Sequence, residues 1–280
     1  MKIIITWLLF VGVIAVNALA NILPINGYNT GQISAFYPNA FVPAGFTFSI
    51  WGVIYLLLLS YTIGFTYYSI KGQQHPKAFI FIERINTYFL LTCIFNMSWI
   101  VAWHYLQIEL SVLIMLLFLT TLIQLFLKSI TIARDLTLTQ RFILQTPFIV
   151  YLGWISVATI ANITALLVAY KWTALSIAPV YWSAAMILIA IILAVWMLLK
   201  FKAVPFALVV AWALWGIYHA QGPAAPILAK LTAGGIGVLI TLVLFTLFSM
   251  SRKSDKYRLS VMAALCVPTF TPSQEANSLK

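Results

Sequence analysis

The chain has very little charge. Of its 280 residues only 8% are charged and only five are acidic, while 63% are hydrophobic and the mean hydropathy is +1.03. A soluble domain of ordinary composition has about a quarter of its residues charged, so this chain cannot cover itself with a water-compatible surface. The scarcity of charge therefore excludes a soluble globular domain and indicates a membrane protein.

Cysteine and catalytic motifs are also scarce. Cys93 lies in an apolar run and Cys266 near the C-terminal end, and two isolated cysteines form neither a disulfide framework nor a metal site. The sequence has no glycine-rich phosphate loop, no HExxH, no GxSxG and no paired carboxylates. We therefore predict no catalytic residue, no metal site and no required cofactor, and an enzyme is the less favoured class.

Apolar runs make up most of the chain. Each is long enough to cross about 30 Å of hydrocarbon as a helix, and none alternates apolar and polar residues as membrane β-strands do. The predicted fold class is all-α, a polytopic membrane helix bundle of about eight transmembrane helices. The predicted spans are residues 3–19, 46–70, 87–106, 110–127, 142–170, 180–199, 203–219 and 231–250. In the fifth span, Gln145 and Pro147 predict a kinked or interfacial beginning.

The basic residues are distributed unevenly between the loops. Fourteen of the 16 Lys and Arg residues lie before the first span, in the even-numbered loops or in the tail, and only Lys171 and Lys230 lie in the other loops. The positive-inside rule then places both termini in the cytoplasm and the first loop, residues 21–45, outside. The net charge of +11 thus reflects the membrane topology. Nucleic-acid binding is not indicated, because the sequence has no basic patch with interleaved aromatic residues.

The two ends of the chain raise separate questions. The tail, residues 251–280, begins with a basic cluster expected to rest on anionic headgroups, continues with a short interfacial helix at 259–266, and is expected to be disordered at its end. Lys2, the first apolar run and Ala20 also resemble a signal peptide with its cleavage site, and cleavage would leave seven spans.

Asparagines and tryptophans lie inside the spans. Asn96 and Trp99 share one face of the third span, and Trp154 and Asn162 share roughly one face of the fifth. An amide in hydrocarbon needs a partner, so each asparagine either ties helices together or lines a polar spot in a ligand cavity. Trp51, like Trp99 and Trp154, lies too deep for an interfacial anchor, and such a residue either packs between helices or forms a pocket wall.

The seventh span has its own aromatic face. Trp212, Trp215 and His219 follow each other at helical spacing, and we interpret this face as a packing surface.

Three short motifs resemble those of the TspO/MBR family, the tryptophan-rich sensory or translocator proteins. They are PAGFTFSIWGVIY in span two, FNMSW in span three and YLGWISVATIAN in span five. They occur in the family's order at plausible separations. The chain departs from the family where Phe46 replaces a motif tryptophan, where the interval from Phe48 to Trp51 is one residue shorter, and where Val150 takes the place of a proline.

The resemblance implies a five-helix bundle over residues 1–170 with span one retained. Three additional transmembrane helices at 171–250 and a basic cytoplasmic tail at 251–280 would follow it. It also implies an intrabundle pocket lidded by the first loop, with Tyr28, Phe36, Tyr37 and Phe41 as the lid's apolar contacts. The ligand-binding residues expected from the motifs are Phe46, Phe48, Trp51, Tyr55, Asn96, Trp99, Tyr151, Trp154 and Asn162.

The resemblance implies a sensor or ligand-handling protein that binds a hydrophobic tetrapyrrole or sterol-like molecule. Porphyrin or haem is the candidate bound group, the lipid bilayer and the small-molecule ligand are the expected partners, and a homodimer is left open. The expected location is a bacterial plasma membrane. One alternative is a transporter of a small hydrophobic or neutral molecule, with the interrupted segment 222–235 as a gate, although no span has a central carboxylate. A second alternative is a light-dependent porphyrin-degrading enzyme.

Overall fold

The computed structural model describes residues 1–23, 25–172, 178–221 and 225–265, with side chains described as far as Arg252. Within these ranges the chain forms α-helices joined by short loops and 3-10 turns, without strands, so the predicted all-α class is confirmed. The helices are α1 Lys2–Asn21, α2 Thr30–Ala35, α3 Ile50–Ile70, α4 Pro76–His104, α5 Ile108–Ile132, α6 Leu138–Leu144, α7 Thr146–Ala169, α8 Pro179–Phe201, α9 Val204–Gln221 and α10 Pro226–Leu265.

Eight of these helices are long and apolar enough to cross a membrane, which confirms the predicted polytopic bundle. Among the helix beginnings, the largest difference is at α4, which begins eleven residues before the predicted residue 87. Hydropathy marks only the part of a helix inside hydrocarbon, whereas the 29 residues of α4 extend over about 44 Å. Its polar first turns are tied to α1 by an ion pair between Lys2 Nζ and Glu83 Oε2 at 2.5 Å.

The predicted irregularity at the start of the fifth span is present. Helix α6 ends at Leu144 and α7 begins at Thr146, so the chain turns at Gln145. Pro147 lies in the first turn of α7, where its missing N–H leaves no hydrogen bond unmade. The break thus has the physical cause that the sequence indicated.

Two predictions near the C-terminal end have different outcomes. Residues 259–265 are not a separate interfacial helix, because α10 continues through them without a break. The part of the predicted gate at 226–235 is regular helix within α10. Residues 222–224 and 266–280, which include the predicted disordered end, lie outside the described residues.

The helices pack in a continuous sequence of neighbours. Helix α4 packs on α1 and α5, α5 packs on α7, α3 lies against α1, α4 and α7, and α9 joins α7 to α8 and α10. Gly153 allows the close approach of α7 to α9, because a Cβ atom there would lie 3.3 Å from the backbone of Phe206. The last three spans, α8, α9 and α10, are therefore attached to the first five spans mainly through α9.

Helix α9 also holds the chain segment that leads into α3. The N–H of Ala44 donates to the Gly216 carbonyl at 3.0 Å, and Trp212 Nε1 donates to the Thr47 carbonyl at 2.9 Å. A Cβ atom on Gly216 would lie 1.9 Å from Thr47 Oγ1. Only glycine fits at this position, and the beginning of α3 is consequently fixed by a helix more than 160 residues away in sequence.

Three hydrogen-bonded groups connect the helices inside the bundle. Asn17 Nδ2 of α1 donates to Asn96 Oδ1 of α4 at 2.7 Å, and Asn96 Nδ2 donates to the Tyr151 hydroxyl of α7 at 2.9 Å. The interpretation of Asn96 as a residue that ties helices together is therefore confirmed.

The other two groups follow the same principle. In one, Asn86 of α4 bonds to Thr6 of α1 and accepts from the hydroxyl of Tyr61 of α3 at 3.3 Å. In the other, Asn162 of α7 is linked to Trp99 of α4 and to Ser111 of α5. Each group connects three helices, and together the groups connect α1, α3, α4, α5 and α7. Polar contacts in an apolar surrounding therefore set the heights of these five helices relative to one another.

The Asn96 group gives a stability prediction. We expect Asn96→Leu to lower the free energy of unfolding by about 1–2 kcal/mol, because the buried Tyr151 hydroxyl loses its donor and Asn17 Nδ2 keeps only its bond to the Val13 carbonyl. The triple variant Asn17→Leu, Asn96→Leu, Tyr151→Phe should regain part of that loss, since all three polar groups are then removed together.

Unfolding in mild detergent by denaturant measures these differences. The matched control is Asn21→Leu at the exposed end of α1, which should change stability by less than about 0.5 kcal/mol. Strictly additive losses in the triple variant would show that the three side chains do not act as one group.

Candidate functional site

A cavity lies where the loop between α1 and α3 covers the bundle. The beginning of α3, the last turns of α4, the middle of α7 and the C-terminal half of α9 surround it. Its space between protein atoms amounts to about 630 Å³ when the volume open to the surroundings at its mouth is included.

Aromatic side chains form most of the cavity wall. They come from the loop and from three helices, and they are Phe41, Phe48, Trp51, Trp99, Trp103 and Trp154. Trp99 is stacked on Trp51, with ring centroids 6.4 Å apart, and on Trp103 at 5.9 Å and an interplanar angle of 19°. Trp154 meets Trp51 edge to face at 6.1 Å. The indoles of Trp51, Trp99 and Trp103 thus form a row, with interplanar angles of 30° and 19° between neighbours.

The remaining wall is small, aliphatic or neutral polar. The aliphatic residues are Pro43, Val157, Ala158, Ala161, Ala213 and Ile217, and the polar residues are Thr30, Ser34 and Asn162. None of these lining residues has a charged side chain. Just beyond the lining, partial burial and the nearby Glu109 carboxylate raise the pKa of Tyr37, so this lid residue is neutral at physiological pH.

Two of the four indole N–H groups in the wall have acceptors among the described residues. Trp99 Nε1 donates to Asn162 Oδ1 at 3.1 Å, and Trp103 Nε1 donates to the Thr30 carbonyl at 3.3 Å. Trp154 is 3% exposed, and its Nε1 has no acceptor among the residues that the structure describes. One buried donor at the cavity therefore lacks a partner.

Five of the nine residues predicted to bind a ligand line this cavity. They are Phe48, Trp51, Trp99, Trp154 and Asn162. The structure brings together residues from spans two, three and five, as the three sequence motifs indicated. Their direct contact with a ligand stays a prediction.

Tyr55, Asn96 and Tyr151 lie behind the wall instead. Tyr55 stacks on Trp51 at 5.6 Å, and Tyr151 meets Trp51 edge to face at 6.0 Å. Each is about one helical turn deeper than the tryptophan of its motif, so each is on the correct face but below the cavity floor. They support the wall rather than line the space.

Phe46 points to another part of the molecule. It is 42% exposed and packs on Trp212, Trp215 and His219 of α9, with ring centroids 5.0–5.8 Å apart. Residues Gly45–Ser49 form a 3-10 turn, in which side chains two positions apart point in different directions. Phe48 therefore enters the cavity while Phe46 contacts α9, and the packing interpretation of the α9 aromatic face is confirmed.

Several lining residues were not predicted. Trp103 follows Trp99 by one turn on the same face of α4, and this spacing would have identified it. Ala213 and Ile217 of α9 belong to no motif, and their sequence distance from spans two to five left no signal. Thr30 and Ser34 lie in the short helix α2 within the loop.

The predicted lid contacts are only partly realised. Phe41 is 1% exposed and lines the cavity, and Tyr37 packs on Trp103 at 5.9 Å. Tyr28 and Phe36 instead pack on each other at 4.9 Å and are 42% and 46% exposed. Of the four predicted lid residues, Phe41 and Tyr37 therefore contact the cavity or its wall, and the other two do not.

A set of hydrogen bonds, which we call the latch, holds the loop against the end of α4. His104 Nδ1 donates to the Ile25 carbonyl at 3.2 Å, and its Nε2 is hydrogen bonded to the Thr30 hydroxyl at 3.1 Å. Asn26 Nδ2 donates to the His104 carbonyl at 3.1 Å. With the bond from Trp103 to Thr30, these contacts hold loop residues 25–30 in place.

Together the apolar helices, the loop and the aromatic wall define a polytopic membrane protein with an apolar cavity that the loop partly covers. The chain belongs to the family of TSPO-like proteins, which matches residues 3–246. The match extends from α1 into α10, so it includes the last three spans as well as the five that carry the motifs. No curated protein and no solved structure matches the chain.

The latch gives a prediction about access to the cavity. We expect His104→Phe to increase the rate at which a cysteine placed at Ser34 reacts with a water-soluble maleimide by at least about fivefold, because two hydrogen bonds to the loop are lost. The background variant has Cys93→Ala and Cys266→Ser, and His75→Phe on the far side of the bundle is the control. Equal reaction rates in the two histidine variants would show that His104 does not hold the loop.

Proposed function

We propose that this TSPO-like protein binds a flat hydrophobic molecule of the tetrapyrrole or sterol-like class in the aromatic-walled cavity, as a sensor or ligand-handling protein. The observation that carries the proposal is the row of Trp51, Trp99 and Trp103, whose neighbouring rings are stacked with interplanar angles of 30° and 19° beside an apolar space that a loop partly covers. Family membership supports it.

The wall suits a flat ring system for a physical reason. Contact between aromatic faces contributes about 0.5–1.5 kcal/mol per pair beyond the burial of apolar area. Small side chains elsewhere in the wall, among them Ala158, Ala161 and Ala213, leave room for a thin molecule. A ligand that fills this space would enter from the membrane or past the loop.

The cavity of this protein is proposed to open towards the outside of a bacterial plasma membrane, with both termini in the cytoplasm. Support comes from the distribution of basic residues and from the first loop, in which residues 21–45 include no charged side chain. In this arrangement the loop meets the outer headgroup region rather than the cytoplasm.

The topology can be tested with single cysteines in intact cells. We expect a cysteine at Asn39, in the loop, to react with a membrane-impermeant maleimide without permeabilisation. A cysteine at Asp135, between α5 and α6, should react only after permeabilisation, because the positive-inside rule puts that loop in the cytoplasm. The reverse pattern would contradict the proposed orientation.

Ligand binding is tested by titrating protoporphyrin IX into the purified protein and following its Soret absorption, which does not depend on the number of tryptophans. We expect the double variant Trp51→Ala, Trp154→Ala to bind at least about tenfold more weakly, because two wall faces are lost. Trp196→Ala is the control, since that residue is 47% exposed on α8 and does not line the cavity. Equal affinities for the wild type and the double variant would contradict the site.

The purified protein can also be used to distinguish a sensor, which only holds its ligand, from a transporter. In proteoliposomes, a protein that only senses or holds its ligand should accumulate none in the lumen, whereas a transporter should accumulate it with time. Accumulation that depends on Trp51 and Trp154 would replace the sensor role with a transport role at the same cavity.

A further inference from the structure

Among the described residues, three cations lie over aromatic rings, all in the half of the bundle away from the loop-covered cavity. Lys128 Nζ is 4.6 Å from the centre of the Tyr88 ring, and the guanidinium carbon of Arg252 is 4.4 Å from that of Phe248. Lys200 Nζ lies over two rings, at 5.0 Å and 5.3 Å. A cation within about 6 Å of a ring centre is attracted to the face of the ring.

The site with two rings lies at the turn between α8 and α9. The rings of Trp196 and Phe201 meet edge to face, with centroids 5.3 Å apart, and the ammonium of Lys200 faces both. Phe201 also meets Phe126 of α5 edge to face at 5.2 Å, which ties this corner to a neighbouring helix. We call Trp196, Lys200, Phe201 and Lys202 the turn cluster.

Lys202 stands at a position that favours glycine. It ends α8 with φ 56° and ψ 32°, in the left-handed region, where its N–H donates to the Leu198 carbonyl at 3.0 Å. An L side chain is less easily accommodated there than glycine. The partial negative charge at the end of a helix favours one nearby cation, yet two lysines occupy this turn.

These two lysines have no acidic partner among the side chains that the structure describes. The ion pair found in that part of the chain joins Lys2 to Glu83 instead. Lys200 and Lys202 are both exposed. Long, flexible side chains two residues apart can converge on one anion, and two uncompensated ammonium groups attract it.

The surface of α8 next to the turn cluster indicates which kind of anion fits. Ile192, Trp196 and Leu199 are 65%, 47% and 49% exposed, and their spacing puts them on one helix face with Lys200. Helix α8 is apolar enough to cross a membrane, so this face contacts hydrocarbon. A phosphate that carries acyl chains uses both the charged turn and the apolar face, whereas free phosphate uses only the turn.

We propose that the turn between α8 and α9 binds the phosphate of an anionic phospholipid, with Lys200 and Lys202 as its cationic contacts. The acyl chains lie along the exposed face of α8, and Trp196 lies between the two parts. The two rings hold the ammonium of Lys200 at the membrane surface, where anionic headgroups are found. This lipid site is separate from the cavity and does not depend on what the cavity binds.

Native mass spectrometry of the full-length protein in a neutral detergent tests the proposal by measuring the affinity for the first lipid bound. The probes are phosphatidylglycerol, phosphatidylcholine with the same acyl chains, and glycerol phosphate, which has no acyl chain. We expect phosphatidylglycerol to bind at least about fivefold more tightly than phosphatidylcholine. The double variant Lys200→Gln, Lys202→Gln should lose most of this preference, because each lysine near an anionic headgroup contributes about fivefold.

Two control variants separate the turn cluster from general positive charge. Lys71→Gln, Lys77→Gln removes the same charge between α3 and α4 and should keep the preference, as should Lys200→Arg, Lys202→Arg, which keeps both charges. Equal losses in the two glutamine variants would overturn the turn as the site. Equal binding of the two lipids would overturn the selection of an anion.

The third probe identifies the source of the phosphate. Glycerol phosphate should bind far more weakly than phosphatidylglycerol, because it leaves the apolar face of α8 unused. Equal affinity would show that the turn binds free phosphate and would overturn the lipid assignment. The porphyrin titration of the cavity is a separate measurement, so failure of the lipid site and failure of the proposed function are distinguishable.

Discussion

Hydrocarbon offers an amide no hydrogen-bond partner except another part of the protein, and the arrangement of this bundle depends on that constraint. Asn96 uses both ends of its amide, one to Asn17 and one to Tyr151. Because Trp99 follows Asn96 by one turn and is itself bonded to Asn162, the contacts that set the heights of the helices also set the positions of the cavity wall. Stability and site geometry thus have a common origin.

The second constraint is the contact between α9 and the segment before α3. Gly216 has room for no side chain against Thr47, and the backbones of Ala44 and Gly216 are directly hydrogen bonded. The orientation of Phe48 at the cavity therefore depends on a helix outside the five spans that carry the motifs. The last three spans are structurally part of the site, since α9 adds Ala213 and Ile217 to its wall. A division of function after residue 170 stays a prediction.

The sequence indicated what depends on local pattern and missed what depends on distant contacts. Apolar runs predicted eight spans because hydropathy and length are local properties, but the start of α4 extends into polar residues that hydropathy does not mark. Helical spacing placed Tyr55, Asn96 and Tyr151 on the correct faces, yet their depth is set by packing between helices. Phe46 was assigned by motif alignment, while the 3-10 turn that directs it to α9 has no sequence signal. The α9 part of the wall likewise comes from tertiary contact.

Trp103 belongs both to the cavity wall and to the latch, so it connects the wall to the loop. The ring of Trp103 lines the cavity beside Trp99, while its Nε1 donates to the Thr30 carbonyl of the loop. The adjacent His104 is hydrogen bonded to the Thr30 hydroxyl. Because an indole is rigid, a displacement of this ring at the cavity would lengthen its hydrogen bond to Thr30. Trp103 thus connects the cavity wall mechanically to the loop, and neither group in this contact is charged.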